Sequence, residues 1–376
     1  VRQTGRAASV VLAGLLGALI GAGLVYALVS KQAGQAGKVG TVASAGQLRP
    51  VTTSSENAIV AAVQRVGPAV VSITALYGES PLERRIKRFM GIPSDPFPRR
   101  GQGSGIIIDG KRGYVLTNAH VVKGAAKVQA MLLDKRTFDA RVVGADPLSD
   151  VAVVQIKGGG LPSAVLGSAA KVPIGSWVIA IGNPFGFQNS VTVGVLSARA
   201  RQIRDPGSRV ALQDLLQTDA SINPGNSGGA LVGLSGAVIG MPTAMIPQAQ
   251  GMGFAVSVDS AKQVAEKLIK TGKMPWLGVE HHFLLPDEAK KLNVPEGQGT
   301  VIVGVVPGGP ADRAGISQGD VILRLNGRRI DGDTALGAAV RAHNAGDRVK
   351  VVVWRDGRRM TISVTLGAVP QNLEAG

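Results

Sequence analysis

The sequence predicts a mainly β protein, followed by a compact α+β module and preceded by a membrane-crossing helix. Three observations predict it. Short apolar runs recur between residues 70 and 258, each closed off by Gly, Pro, Asp or Asn, which is the rhythm of a barrel or sandwich. From residue 274 to 370 strand-like and helix-like segments alternate, as in a small α+β domain. Residues 10–29 carry no charge at all, and at about 1.5 Å of rise per residue they span the roughly 30 Å hydrocarbon core of a bilayer.

Arg2 and Arg6 precede the apolar span, so residues 1–9 read as a cytoplasmic tail and everything after residue 29 is sent outside. The span is longer than the apolar region of a cleaved signal peptide and reads as a signal anchor, although Ala43-Ser44-Ala45 keeps peptidase cleavage open. Gly17 and Gly21 have the spacing that lets membrane helices approach closely, but glycine is common in such helices anyway. Residues 30–55, rich in Gly, Ala, Gln, Ser and Thr, read as a flexible tether.

Ser55 is placed to cap a short helix that presents Ile59, Val60, Val63 and Val66 on one face and stops at Gly67-Pro68. Strands are then expected at 70–74, 105–108, 114–117, 127–133, 138–143, 151–156, 177–181, 191–198, 229–232, 238–241 and 253–256. The interruption at 77–103 contains Pro93, Pro96, Pro98 and the basic run Arg84-Arg85-Ile86-Lys87-Arg88, and reads as a long loop. A helix at 259–271 follows, with Ala261, Val264, Ala265, Leu268 and Ile269 facing the core and Gly272 ending it. Beyond it strands are expected at 276–280, 300–306, 320–325, 348–354 and 359–366, helices at 286–292 and 333–342, and a hairpin turn at Asp356-Gly357. The domains are therefore a β-rich unit at 56–272 and an α+β unit at 273–370, with a tail at 371–376.

Composition removes several function classes. With 45% apolar and 18% charged residues the chain is not disordered, and its 52 glycines show no collagen period. The absence of cysteine excludes disulfide scaffolds, thiol catalysis and thiolate zinc sites. A formal charge of +16 invites nucleic acid, yet the basic residues are scattered and no nucleic-acid motif is present, so no nucleic-acid partner is expected.

The densest chemical signal is Gly225-Asn226-Ser227-Gly228-Gly229, where a tight glycine turn exposes a serine and aims backbone N–H groups at a developing oxyanion. The formula also fits the elbow of the α/β-hydrolases, but that elbow needs a helix after the serine. Residues 230–240 are instead two apolar runs about a turn. A base lies upstream: His120, the first of the four histidines, stands at a strand end, and Asp150 leads an apolar strand. Alone, the histidine reads as structural and the aspartate as a turn residue. Together the order His, Asp, Ser is that of the chymotrypsin-like proteases. Gly101-Gln102-Gly103-Ser104-Gly105 has a faint likeness to a nucleotide loop, but a strand and not a helix follows it. His281-His282 has no further ligands near it in sequence, so no metal site is expected.

Four segments, Thr117-Asn118-Ala119-His120-Val121-Val122, Asp150-Val151-Ala152-Val153, Ile181-Gly182-Asn183-Pro184 and 218–229, resemble the HtrA/Deg family of serine proteases, and the resemblance runs over residues 56–368. It implies a chymotrypsin-like double β-barrel followed by a PDZ domain, whose strand pattern Gly319-Asp320-Val321-Ile322-Leu323-Arg324-Leu325-Asn326-Gly327 resembles. Only one such domain fits, which together with the apolar span resembles the membrane-tethered, single-PDZ branch. The resemblance further implies that His120, Asp150 and Ser227 are the catalytic residues and that Gly225 and Ser227 supply the oxyanion N–H groups. Ile222 and Met241 would flank the specificity pocket, Leu277, Gly278 and Val279 would form the carboxylate-binding loop, and Leu336 and Val340 would wall the peptide groove. The implied partners are unfolded protein substrates, C-terminal peptides, the membrane through residues 10–29 and two further copies in a homotrimer, with no cofactor. Regulated loops would fall at 77–103, 200–211 and 242–251. Pro242 departs from the family pattern, removing an N–H donor beside the strand expected to pair with substrate. The competing reading is a membrane-tethered chaperone or PDZ adaptor with a latent protease domain.

Overall fold

The computed structural model describes residues 54–78, 85, 88–90, 99–184, 186, 188–204, 211–223, 225–245, 251–294, 299–332 and 334–370. The apolar span and tether expected at 10–29 and 30–55 lie outside these residues, apart from the last two of the tether. Among the described residues no helix is long and apolar enough to cross a membrane.

Helix α1 (Ser54–Val66) leads into β1 (Val70–Tyr77), β2 (Arg99–Asp109), β3 (Tyr114–Thr117), the short helix α2 (Ala119–Val122), β4 (Lys127–Met131), β5 (Thr137–Asp146) and β6 (Val151–Ile156). These six strands close into an antiparallel barrel in the order β1-β2-β3-β6-β5-β4. Its strands are rich in Val and Ile, whose branched side chains suit the pleated surface, and Ile73, Ile106, Leu116, Val153 and Ile156 fill the interior. A second barrel follows, built from β7 (Trp177–Gly182), β8 (Ser190–Arg204), β9 (Ala211–Thr218), β10 (Ala230–Gly233), β11 (Val238–Met245) and β12 (Gly253–Ser257), in the order β10-β11-β12-β9-β8-β7. Val178, Leu196, Leu216, Leu231 and Ile239 form its own apolar cluster. Helix α3 (Val258–Thr271), capped by Ser257, lays Ala261, Val264, Ala265 and Leu268 across β5 and β6 of the first barrel and β11 of the second. Closure leaves neither sheet with an open edge.

The strands reach further than the apolar runs suggested. β1 continues to Tyr77 and β2 begins at Arg99, with Tyr77 opposite Arg99, so the expected loop at 77–103 is shortened from both ends. β8 runs to Arg204 and β9 starts at Ala211, so residues 200–204 and 211 of the loop expected at 200–211 pair in a ribbon, and residues 205–210 lie outside the described residues. β11 extends through Met245, which puts Pro242 inside a strand, opposite Ala255. In β2 and β8 the added residues are Arg-, Gly- and Gln-bearing and mostly exposed, and such a stretch leaves no period-two apolar signal. In β11 the added Pro242 and Thr243 are buried, but proline argues against a strand and threonine is polar.

The third unit contains β13 (Pro275–Trp276), β14 (Val279–Phe283), α4 (Pro286–Lys291), β15 (Thr300–Val305), α5 (Pro310–Arg313), β16 (Val321–Leu325), β17 (Arg328–Arg329), α6 (Ala335–Arg341), β18 (Arg348–Arg355), β19 (Arg358–Thr365) and β20 (Gly367–Ala368). The main sheet has the order β14-β15-β16-β18-β19, while β13 pairs with β20 as a separate ribbon. The single strand expected at 276–280 is thus two, broken at Gly278, whose φ of 84° is a left-handed conformation. Ile302, Ile322, Leu325, Leu336, Val351 and Val364 form the core of this unit. Met274, Trp276 and Val369 belong instead to the core that the two barrels and α3 share, which roots the unit on the barrels.

Candidate active site

The catalytic candidates sit where the two barrels meet. Residue Asn118 leads into α2, and the second residue of that helix is His120, whose ring is 49% exposed while the Asp150 carboxylate beside it is 8% exposed. His120 Nδ1 lies 2.8 Å from Asp150 Oδ2 and 3.0 Å from Oδ1, and the His120 backbone N–H donates to Oδ1 at 3.0 Å. An ionised carboxylate only accepts, so the ring proton sits on Nδ1 and Nε2 is the ring nitrogen without a proton. Asp150 has φ 53°, an uncommon conformation for a residue with a Cβ. Two bonds hold it there: Asn118 Nδ2 donates to its carbonyl at 2.9 Å, and the Thr243 hydroxyl donates to Oδ2.

Thr243 belongs to β11 of the second barrel, so the aspartate is gripped from both sides of the cleft. Neither Asn118 nor Thr243 stood out as a site residue in the sequence, because Thr in a strand reads as an ordinary β-former.

The loop bearing Ser227 is shaped by two glycines. Gly225 has φ 101° and Gly228 φ 82°; a Cβ on the first would lie 2.2 Å from Pro184 Cβ, and one on the second 2.3 Å from the Ser104 carbonyl oxygen. Only glycine fits either place. The Asn226 N–H donates to the Asn223 carbonyl at 3.2 Å and the Gly228 N–H to the Pro242 carbonyl at 2.9 Å, whereas among the described residues no acceptor meets the N–H of Gly225 or Ser227. The residue that breaks the family pattern therefore supports the serine loop through its carbonyl. Its missing N–H falls next to a register shift between Pro242 and Ala244.

Ile222 and Met241 are both buried but belong to different apolar clusters, Ile222 to the interior of the second barrel and Met241 to the shared core. His282 Nε2 lies 3.0 Å from Glu288 Oε1, and among the described residues no group of three His, Asp or Glu side chains is arranged to hold a metal.

Comparison with known proteins decides the family. Residues 103–241 match the trypsin-like peptidase domain and residues 256–366 the PDZ domain. The putative serine protease HhoA of Synechocystis sp. is 40% identical over 339 residues, covering 84% of this chain and 85% of that protein. The chain belongs to the HtrA family of serine proteases. The periplasmic pH-dependent serine endoprotease DegQ of Escherichia coli is 37% identical over 318 residues, covering 81% of this chain and 69% of its own. The solved HtrA-type protease AlgW with a decapeptide matches with a TM-score of 0.64 at 35% identity, over 85% of this chain and 99% of that one.

This HtrA chain is an endoprotease with a single PDZ domain, and the peptide groove expected of that domain has a clear geometry. Leu277, Gly278, Val279, Leu336 and Val340 line one cavity of about 450 Å³. The Leu277 carbonyl accepts from Ala311 N–H at 2.9 Å and the Gly278 carbonyl from Val306 N–H at 3.0 Å. In a trans peptide the N–H points opposite the carbonyl, so the N–H groups of Gly278 and Val279 face away from the domain body.

The HtrA barrels close the other side of that cavity with Asp146, Leu148, Ser149, Gln213 and Asp214. Burial pushes the Asp146 carboxyl up from the ordinary aspartate range, against bonds from Ser149 Oγ at 2.6 Å and Leu148 N–H at 3.2 Å and the charge of Arg341. Burial likewise lowers the Arg341 guanidinium, which Asp146 and Asp214 pull back up. An arginine of α6 therefore answers two carboxylates of the protease barrels, one of them four residues from Asp150.

Proposed function

We propose that Ser227, His120 and Asp150 carry out the endoproteolysis as a triad. Ser227 Oγ attacks the scissile carbonyl carbon and its proton passes to His120 Nε2. The tetrahedral intermediate collapses to an acyl-enzyme as the leaving amine takes that proton, and water repeats the sequence in reverse. Asp150 keeps the ring in the required tautomer and stabilises its charged form, while the N–H groups of Gly225 and Ser227 receive the oxyanion. The observation that carries this reading is the double contact of His120 Nδ1 with the Asp150 carboxylate, at 2.8 and 3.0 Å, which leaves Nε2 as the base. No cofactor enters any step.

The substrates are unfolded or damaged proteins outside the cytoplasm, and relatives such as the periplasmic serine endoprotease DegQ of Escherichia coli support that side of the membrane. Residues 10–29 anchor the chain, and three copies associate through their protease domains. The PDZ domain takes apolar C-terminal peptides, a reading supported by its lining of Leu277, Val279, Leu336 and Val340. Cleavage follows small aliphatic residues. Asp219, the only carboxylate of residues 219–227, stands eight residues before Ser227 with its Oδ1 accepting from the Val195 N–H at 2.6 Å, so that stretch offers a lysine no unengaged carboxylate. Ser227→Ala in the purified protein tests the triad: casein cleavage should disappear, and undiminished cleavage would refute it.

A further inference from the structure

The segment Gly101-Gln102-Gly103-Ser104-Gly105 is not a loop; it lies in β2 and carries Ser104, fully buried, against the serine loop of the other barrel. Ser104 makes four polar contacts there. Its N–H donates to the Ser227 carbonyl at 2.8 Å, and its carbonyl accepts from the Thr117 hydroxyl at 2.7 Å. Its Oγ lies 2.6 Å from the Gly225 carbonyl oxygen and accepts from the Asn183 N–H at 2.8 Å. A carbonyl oxygen has no proton to give, so the Ser104 hydroxyl proton is committed to Gly225.

These contacts fix two peptide planes. The plane joining Gly225 to Asn226 is held at its oxygen by Ser104 Oγ and at its N–H by the Asn223 carbonyl. The plane joining Ser227 to Gly228 is held at its oxygen by the Ser104 N–H and at its N–H by the Pro242 carbonyl. Between them lies the plane that carries the Ser227 N–H, and before them the one that carries the Gly225 N–H. With their neighbours pinned, those two donors keep their aim as charge builds on the substrate, the preorganisation that makes an oxyanion site effective.

We propose that Ser104 is a positioning residue for the oxyanion site, acting from the first barrel on the carbonyls of Gly225 and Ser227. The proposal rests on the assignment of Ser227 as nucleophile and of these two N–H groups as oxyanion donors. A hydroxyl that positions donors should matter for the transition state and not for ground-state binding.

The test compares Ser104→Ala, Ser104→Cys and Ser227→Ala in the full chain, measuring kcat and KM on a peptide substrate, the Ki of a peptide boronic acid that forms a tetrahedral adduct, and Tm. Losing one oxyanion donor outright costs about a hundred- to a thousandfold, so a donor left in place but loosened predicts about a ten- to hundredfold loss in kcat. The boronate Ki should weaken by the same factor, with KM within about twofold. Ser104→Cys, close in size but a weak donor, should show the same split and serves where the alanine variant does not fold. Unchanged kcat and Ki with a lowered Tm would overturn the proposal, as would a kcat loss without a boronate loss, or failure of both variants to fold. Cleavage surviving in Ser227→Ala would refute the nucleophile assignment itself. A dead Ser227→Ala beside a fully active Ser104→Ala would refute only the role of Ser104.

Discussion

Thr243 donates its hydroxyl to Oδ2 of Asp150, tying a strand of the second barrel to the carboxylate that holds His120 in the first. The aspartate of the proposed triad is thus oriented by both halves of the cleft, and the geometry of that triad depends on how the barrels sit against each other. A hydrogen bond to a charged acceptor contributes about 1.5–3 kcal/mol. If that difference is expressed in the transition state, Thr243→Val should lower kcat about tenfold or more with KM little changed. Steady-state kinetics on a peptide substrate check it, and an unchanged kcat would show that His120 is positioned without Thr243.

The loop at Leu277, Gly278 and Val279, proposed to bind a carboxylate, should read a free C-terminus through backbone alone, since the Leu277 and Gly278 carbonyls are tied back to Ala311 and Val306. Amidating the C-terminus of an apolar peptide should weaken binding at least about tenfold, because the buried N–H groups lose their charged acceptor. Gly278→Ala should weaken it too, since φ there is 84° and the new Cβ would sit 3.1 Å from Pro310 Cδ. Calorimetric titration with the free-acid and amidated peptides measures both, and equal affinities would count against the loop.

Asp146 gives a pH dependence with a definite sign. Its folded-state pKa is raised by burial, so just above the ordinary aspartate pKa the folded chain still holds a proton that the unfolded chain has released. Stability therefore falls as pH rises through the raised pKa, and the cost is complete above it. Asp146→Asn cannot titrate, so its Tm should rise relative to the parent as pH goes from about 4 to about 7. Thermal unfolding across that range is the check, and a Tm difference flat in pH would contradict the account.

Much of this architecture is legible in the residues, for reasons that differ along the chain. β6 is apolar at five of its six positions and buried on both faces, so its ends are readable to the residue. The serine loop is legible because its two φ-positive glycines, Gly225 and Gly228, leave a motif that little else explains. The ribbon of β8 and β9 is not, since SARARQIR alternates no apolar face and owes its strand to backbone pairing with β9. Nor are Thr243 and Ser104, whose importance comes from contacts between barrels 93 and 121 residues apart in sequence. Long-range pairing of small polar side chains has no local signature. The break at Gly278 was hidden for another reason: an apolar Trp276-Leu277-Gly278-Val279 run reads as one strand until a left-handed glycine is placed in it.

His120 is proposed to activate Ser227. The most direct measurement is labelling of the full chain by a fluorophosphonate, in the presence of an unfolded protein substrate, with the adduct located by mass spectrometry of its peptides. One adduct is expected, on Ser227, with a labelling rate in His120→Ala reduced at least about a hundredfold, the scale of general-base assistance. An adduct on another residue, or His120→Ala labelling Ser227 at the parent rate, would contradict it.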